Sequence, residues 1–141
     1  LSGRTDPLLP IRGWPEFARQ VEAARVSAGA DWVGTAHYGS LSQLAASGRI
    51  GAPLVHLIER ERWPDAAPAP VDRPGLVLDK ARRLPLADLH ACFRTVTPLG
   101  ELVRGLPTSR VDHYALYRVE GPVPDLLARG CPDELGKNRL R

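Results

Sequence analysis

The chain has 141 residues, 43% hydrophobic and 25% charged, which is enough apolar content for one domain with its own core and too much for a disordered chain. The net charge of +3 comes from arginines scattered along the whole length, with no basic stripe and no recognisable nucleic-acid module, so nucleic acid is not an expected partner. No apolar run approaches the ~20 residues needed to span a bilayer; the piece itself is not expected to cross a membrane.

The chain opens on "LSGRTDP" and contains no methionine. A processed product, or a piece of something longer, is therefore expected.

"IRGWPEFARQVEAARVSAGADW" reads as the first helix. Pro15 suits a first helical position and Glu16 favours the positive N-terminal end. Phe17, Val21, Ala24 and Ala28 recur at helical spacing as one apolar stripe, and Gly29 supplies a left-handed stop. "DWVGTA" (31–36) follows as a strand. A second helix runs through Leu41, Leu44 and Ala45 to Ser47 and Gly48, and "APLVHLIE" (52–59) is a compact buried strand. Together these make a β-α-β unit with parallel strands and a right-handed crossover. The first helix is expected on the opposite face of the sheet.

Much of the proline lies in "WPDAAPAPVDRPG", an extended surface loop at 63–75. Beyond it, "GLVLD" (75–79) is a short strand. "PLADLHACF" (85–93) is a helix with Leu86, Leu89 and Phe93 on one face. "RTVTPLGELVR" (94–104) and "HYALYRVE" (113–120) form an antiparallel pair, and Pro98 makes the first of them an edge or bulged strand. Alternation puts Ala115, Tyr117 and Val119 on one face and Tyr114 and Leu116 on the other, as in a sheet covered on both sides.

The expected fold is α/β: a single three-layer domain over residues 1–121, with a mixed sheet of about five strands, helices on both faces and a C-terminal antiparallel hairpin. A tail, 122–141, carries one short helical turn around Leu126.

Chemistry-bearing motifs are few. Neither G-x-G-x-x-G nor G-x-x-x-x-G-K-[ST] occurs, so no nucleotide cofactor is expected. "YGSLSQ" lacks the glycine that a nucleophile elbow needs after its serine. The histidines at 37, 56, 90 and 113 lie on different elements with no metal-binding spacing. Cys92 and Cys131 also lack such spacing; they either pair in an oxidising compartment or remain thiols. No catalytic residue, metal or cofactor is assigned.

Two stretches invite a binding reading. "GTAHYGSLSQLA" (34–45) sets His37 and Tyr38 at a strand-to-helix corner, where open α/β sheets bind ligands; Tyr38 serves equally well as a packing anchor. "ERERW" (59–63) puts Arg60 and Arg62 on one side of a strand end with Trp63 as a stacking surface. Arginines there suit a phosphate or carboxylate clamp. Ion pairs with Glu59 and Glu61, with Trp63 over the core edge, are the alternative.

Taken in order, Gly13-Trp14, "ADWVGTAHYGSLSQLA", "ERERW", "FRTVTPLGELVR" and "HYALYRVEG" resemble the C-terminal extramembrane domain of bacterial membrane glycosyltransferases. The family is that of the dolichyl-phosphate-mannose–protein mannosyltransferases and lipid A aminoarabinose transferases, glycosyltransferase family 39. The matching pieces span most of residues 13 to 121, and the likeness lies in their order, since each motif alone is degenerate.

The resemblance implies a parent enzyme with many transmembrane helices that takes a sugar from a polyprenyl-phosphate donor. The family's catalytic acids lie in an extracytoplasmic loop of the membrane part and have no counterpart here. This piece would then be a non-catalytic soluble domain on the periplasmic face of the bacterial inner membrane, shaping acceptor access or stabilising the membrane part. Its implied partners are the transmembrane part of its own parent chain and the glycosyl acceptor or lipid-linked sugar. Tyr38 matches the family's recurrent tyrosine at the start of the second helix. The chain departs from its relatives where "AASGRI" replaces an aromatic, "FYL"-like helix end.

Two other expectations stand beside it. One is a stand-alone flavodoxin-like module binding a small molecule or a protein near His37, Tyr38 and Arg60. The other is a small hydrolase using His37 or His113, for which the sequence offers no nucleophile.

Overall fold

The computed structural model describes residues 13–57, 70–81, 89–105 and 111–123. Helix α1 spans Trp14–Ala28. Gly13 at its N-cap has φ 78°, a proline follows in the first turn, and Gly29 ends it at φ 66° with its N–H and the next turned back to the last carbonyls. Strand β1 is Val33–Thr35, helix α2 Tyr38–Ser47, β2 Leu54–His56, β3 Gly75–Lys80, β4 Phe93–Gly105 and β5 Val111–Pro122.

The fold is α/β, with one mixed sheet of five strands in the order β2-β1-β3-β5-β4. The β-α-β unit is as expected: β1 pairs in parallel with β2, and also with β3 on its other side. β5 runs antiparallel to both β3 and β4. β4 is the outer strand, and its pairing slips between Pro98 and Gly100. That is the edge position and irregularity the proline requires, since it has no N–H to give the ladder.

The pleat divides the core in two. On one face, Val33, Leu76, Leu78, Tyr114 and Leu116 pack with Trp14, Phe17, Ala18 and Val21 of α1 and with Leu44 of α2. Both described helices therefore cover the same face, contrary to the expectation that α1 lies opposite α2. An apolar stripe states that a helix is buried, not on which side of a sheet. Here Glu22 and Arg25 add a polar seam beside the α2–β2 connection, where a Cβ on Gly51 would collide with the Glu22 carboxylate.

On the other face, Trp32, Val55, Leu57, Val77 and Val119 meet Val71, Leu89, Cys92 and Phe93. Trp32 stacks on Phe93 at 5.9 Å between ring centroids. Its ring passes over Gly34 and Gly75, where side chains would collide with it. This is why the flanking strands carry glycine at those points. Phe93 opens β4 and so does not end a helix as expected; residues 85–88 of that expected helix, the loop residues 63–69 and the tail beyond 123 lie outside the described residues. No described helix is long and apolar enough to cross a membrane.

Candidate binding cleft at the strand ends

β1 and β3 are adjacent parallel strands, and β2, reached through α2, lies on the far side of β1. The chain therefore leaves β1 away from β3, and a crevice opens at their carboxyl ends, the usual binding place in such sheets.

The corner after β1 is wired to the end of β3. Asp79 is 2% exposed; its Oδ2 accepts the Thr35 hydroxyl and the Ala36 N–H, each at 3.1 Å, and its Oδ1 accepts the Lys80 N–H. Thr35 Oγ1 in turn accepts the His37 N–H at 3.1 Å. A buried carboxylate is tolerable only with such donors around it.

His37 caps α2. Its backbone is extended, and its Nδ1 accepts the Ser40 N–H at 3.2 Å. That bond needs a lone pair on Nδ1, so the ring is the tautomer carrying its proton on Nε2. Ser40 Oγ also lies 3.1 Å from Nδ1. The pair resembles a nucleophile and its base, yet the nitrogen facing the serine already holds the helix cap. Proton abstraction there would require giving up that bond, so the arrangement is a structural cap.

Across the crevice stand the ends of β3, β4 and β5. The antiparallel register sets Arg104 opposite Asp112 and Lys80 opposite Tyr114. Arg104 Nη2 donates to Asp112 Oδ2 at 2.7 Å, and Lys80 Nζ stands 3.8 Å from the same oxygen. Both side chains thus approach the Asp112 carboxylate. The Arg104 guanidinium also lies 4.9 Å from the centre of the Trp14 ring, within cation–π range.

Trp14 is held edge-on against Phe17 and Tyr114. It reaches this position because Gly13 turns through positive φ directly against the Gly105 carbonyl, a place where any Cβ would collide. Burial pushes the Tyr114 phenol above its ordinary range, opposed by the nearby Arg104 charge and by hydrogen bonds to Arg104 and Ser40.

These groups enclose a cleft of about 270 Å³, lined by Trp14 from α1, by the cap and first turns of α2 (His37, Gly39, Ser40, Gln43), and by Lys80, Arg104 and Tyr114 from the strands. Its polar lining mixes donors and acceptors, and it can hold a small polar molecule.

Of the residues singled out in the sequence, His37 lies at the cleft. Tyr38 is the first residue of α2, and Arg60, Arg62 and Trp63 lie outside the described residues. His113, by contrast, is half-exposed and paired with Glu101 at 3.2 Å. Sequence reading missed Trp14, Lys80, Arg104, Tyr114 and Asp79 as site residues. "GLVLDK" held a usable signal, an acid and a base closing an apolar strand. Arg104 and Tyr114 meet only through strand register. Comparison with protein-family models, curated proteins and solved structures finds no match to this chain.

Proposed function

We propose that the chain is a non-catalytic extracytoplasmic domain of a membrane glycosyltransferase that uses a polyprenyl-phosphate-linked sugar donor, and that it shapes acceptor access or stabilises the membrane part. One observation carries this reading. Four of the five stretches that carry the family resemblance, though spread from Gly13 to Gly121, meet at a single cleft. They supply Trp14, His37 with Ser40, Arg104 and Tyr114. "ERERW" lies outside the described residues. The cleft thus draws on four of these stretches at once.

Cys92 supports the compartment. It is buried and disulfide-bonded, and the chain's one other cysteine is Cys131; disulfides persist in oxidising surroundings such as the periplasm. The scaffold that goes with this reading has three layers and ends in a hairpin. Leu89 and Cys92, packed opposite both helices, support the third layer. The β4–β5 register, from Gly105–Val111 to Phe93–Pro122, supports the hairpin. In this reading the corner at His37 and Tyr38 faces the membrane part or the acceptor.

The test is to read the coding sequence upstream of Leu1 and to fractionate the native protein. Repeated apolar spans of ~20 residues, with this segment protease-accessible from the periplasm, are expected. A gene without such spans would overturn the reading, as would transfer of sugar from a polyprenyl-phosphate donor by the isolated chain. The strand-end cleft itself favours a second reading, a stand-alone small-molecule-binding module. A gene without such spans would leave that module as the surviving reading.

A further inference from the structure

We propose that Cys92 and Cys131 form one intrachain disulfide, and that this bond locks the core face opposite the helices, closed by oxidation and shielded from reductants while the chain is folded. The proposal rests on the chain's own two cysteines and holds for either reading of its function.

The two core faces are covered unequally. Over Leu76, Leu78 and Tyr114 lie α1 and α2, whose backbone bonds close within each helix. Over Trp32, Val77 and Val119 the described cover is Val71 and the turn that ends at Cys92. That turn is held through the Cys92 backbone: its N–H donates to the Leu89 carbonyl and its carbonyl accepts the Val123 N–H, each at 2.9 Å. A short turn of this kind opens more readily than a packed helix, so a covalent tie has more to hold there.

Cys92 is 0% exposed, packed with Leu89 and Phe93, and disulfide-bonded. The chain has two cysteines and Cys92 is bonded within it, so its partner is Cys131. The ring spans residues 92–131, and closing a ring of that length removes much of the freedom of the unfolded chain. The chain beyond β5 therefore meets Cys92 twice, through Val123 and through Cys131.

Position also decides how the bond breaks. A dithiol cleaves it by thiolate attack on one sulfur, while the other leaves as a thiolate and takes up a proton. The second thiol of the reductant then displaces the first cysteine. Two electrons and two protons pass to the protein, and the dithiol becomes a disulfide. Attack on the Cys92 sulfur is blocked by its burial. Attack on the Cys131 sulfur expels the Cys92 thiolate into an apolar cluster, where the charge is disfavoured and the leaving group is poor. Both routes wait for the face to open.

The experiment uses the 141-residue chain. Proteolysis without reductant, followed by mass spectrometry, should yield one linked pair of peptides carrying Cys92 and Cys131. Trapping of thiols released by dithiothreitol should show reduction about a hundredfold slower in buffer than in denaturing urea. The reduced chain should have a urea midpoint lower by roughly 1–2 M. The amides of Cys92 and Val123 should then lose hydrogen-exchange protection ahead of those in α1.

Unfolding of the whole chain on reduction supports the lock and extends it from one face to the fold. A bond between two chains, equal reduction rates in buffer and urea, or a reduced chain with the parent's midpoint and protection would each overturn the proposal.

Discussion

The indole of Trp32 lies across Gly75, on the spot that a Cβ there would occupy, while its Nε1–H donates to the Arg73 carbonyl at 2.9 Å. The ring is wholly buried and stacked on Phe93, so it has nowhere to retreat. Gly75→Ala should therefore destabilise the fold by about 2 kcal/mol, in the range of overpacked cores. The urea midpoint measures this, and a midpoint equal to that of the parent chain would contradict the packing described.

Asp79 ties the corner after β1 to the end of β3 through three donors. Asp79→Ala removes the acceptor of all three and should cost about 3 kcal/mol, whereas Thr35→Val removes one hydroxyl and should cost about half as much. Hydrogen exchange at Ala36 supplies the local readout. Its protection should fall in Asp79→Ala more than in proportion to global stability. Proportional loss across the whole sheet would show that the corner has no separate dependence on the carboxylate.

Arg25 grips both oxygens of Glu22, at 2.6 and 2.8 Å, and donates a further N–H to the Ala30 carbonyl. The Arg25 hydrogen bond holds the Glu22 carboxyl below its ordinary value of 4.5, against the opposing effect of burial. A depressed carboxyl stabilises the fold fully above its unfolded value, and the contribution is lost as pH falls through the folded one. The stability difference between the parent chain and Glu22→Gln should be complete at neutral pH and shrink below about pH 4.5. Urea midpoints across that range provide the check, and a difference constant to low pH would refute it.

Tyr114 behaves in the opposite sense. Burial raises its phenol above the ordinary value of 10.0, with the Arg104 charge acting the other way. The folded chain therefore favours the neutral phenol. That preference is intact below the ordinary value and is lost as pH rises through the higher folded one. An ultraviolet difference titration should show one phenol ionising late in the parent chain and absent in Tyr114→Phe. Equal late amplitude in both would assign the delay to another tyrosine.

Much of the scaffold was legible from short-range chemistry. Pro15 and Gly29 bracket α1, Gly48 ends α2, and Pro98 sends β4 to the margin, because proline restricts and glycine frees its own backbone whatever surrounds it. The side on which α1 packs was not legible, since its stripe fits either face. The cleft was half legible. His37 follows from the strand-to-helix corner, but Arg104 reaches it only because a register slip at Pro98 and Gly100 sets Arg104 opposite Asp112. Pairing of that kind is decided by long-range geometry that one-dimensional spacing does not contain.

The slip at Pro98 also matters for solubility. The outer margin of β4 carries the exposed apolar side chains Leu99 and Val103, the composition from which runaway association between copies begins. Pro98 withdraws one donor from that margin, and the shifted register beside it interrupts the even spacing that a second chain would need to zip along it. An incoming strand would lose alignment midway. Pro98→Thr, by restoring a donor, is the change that would make this margin adhesive.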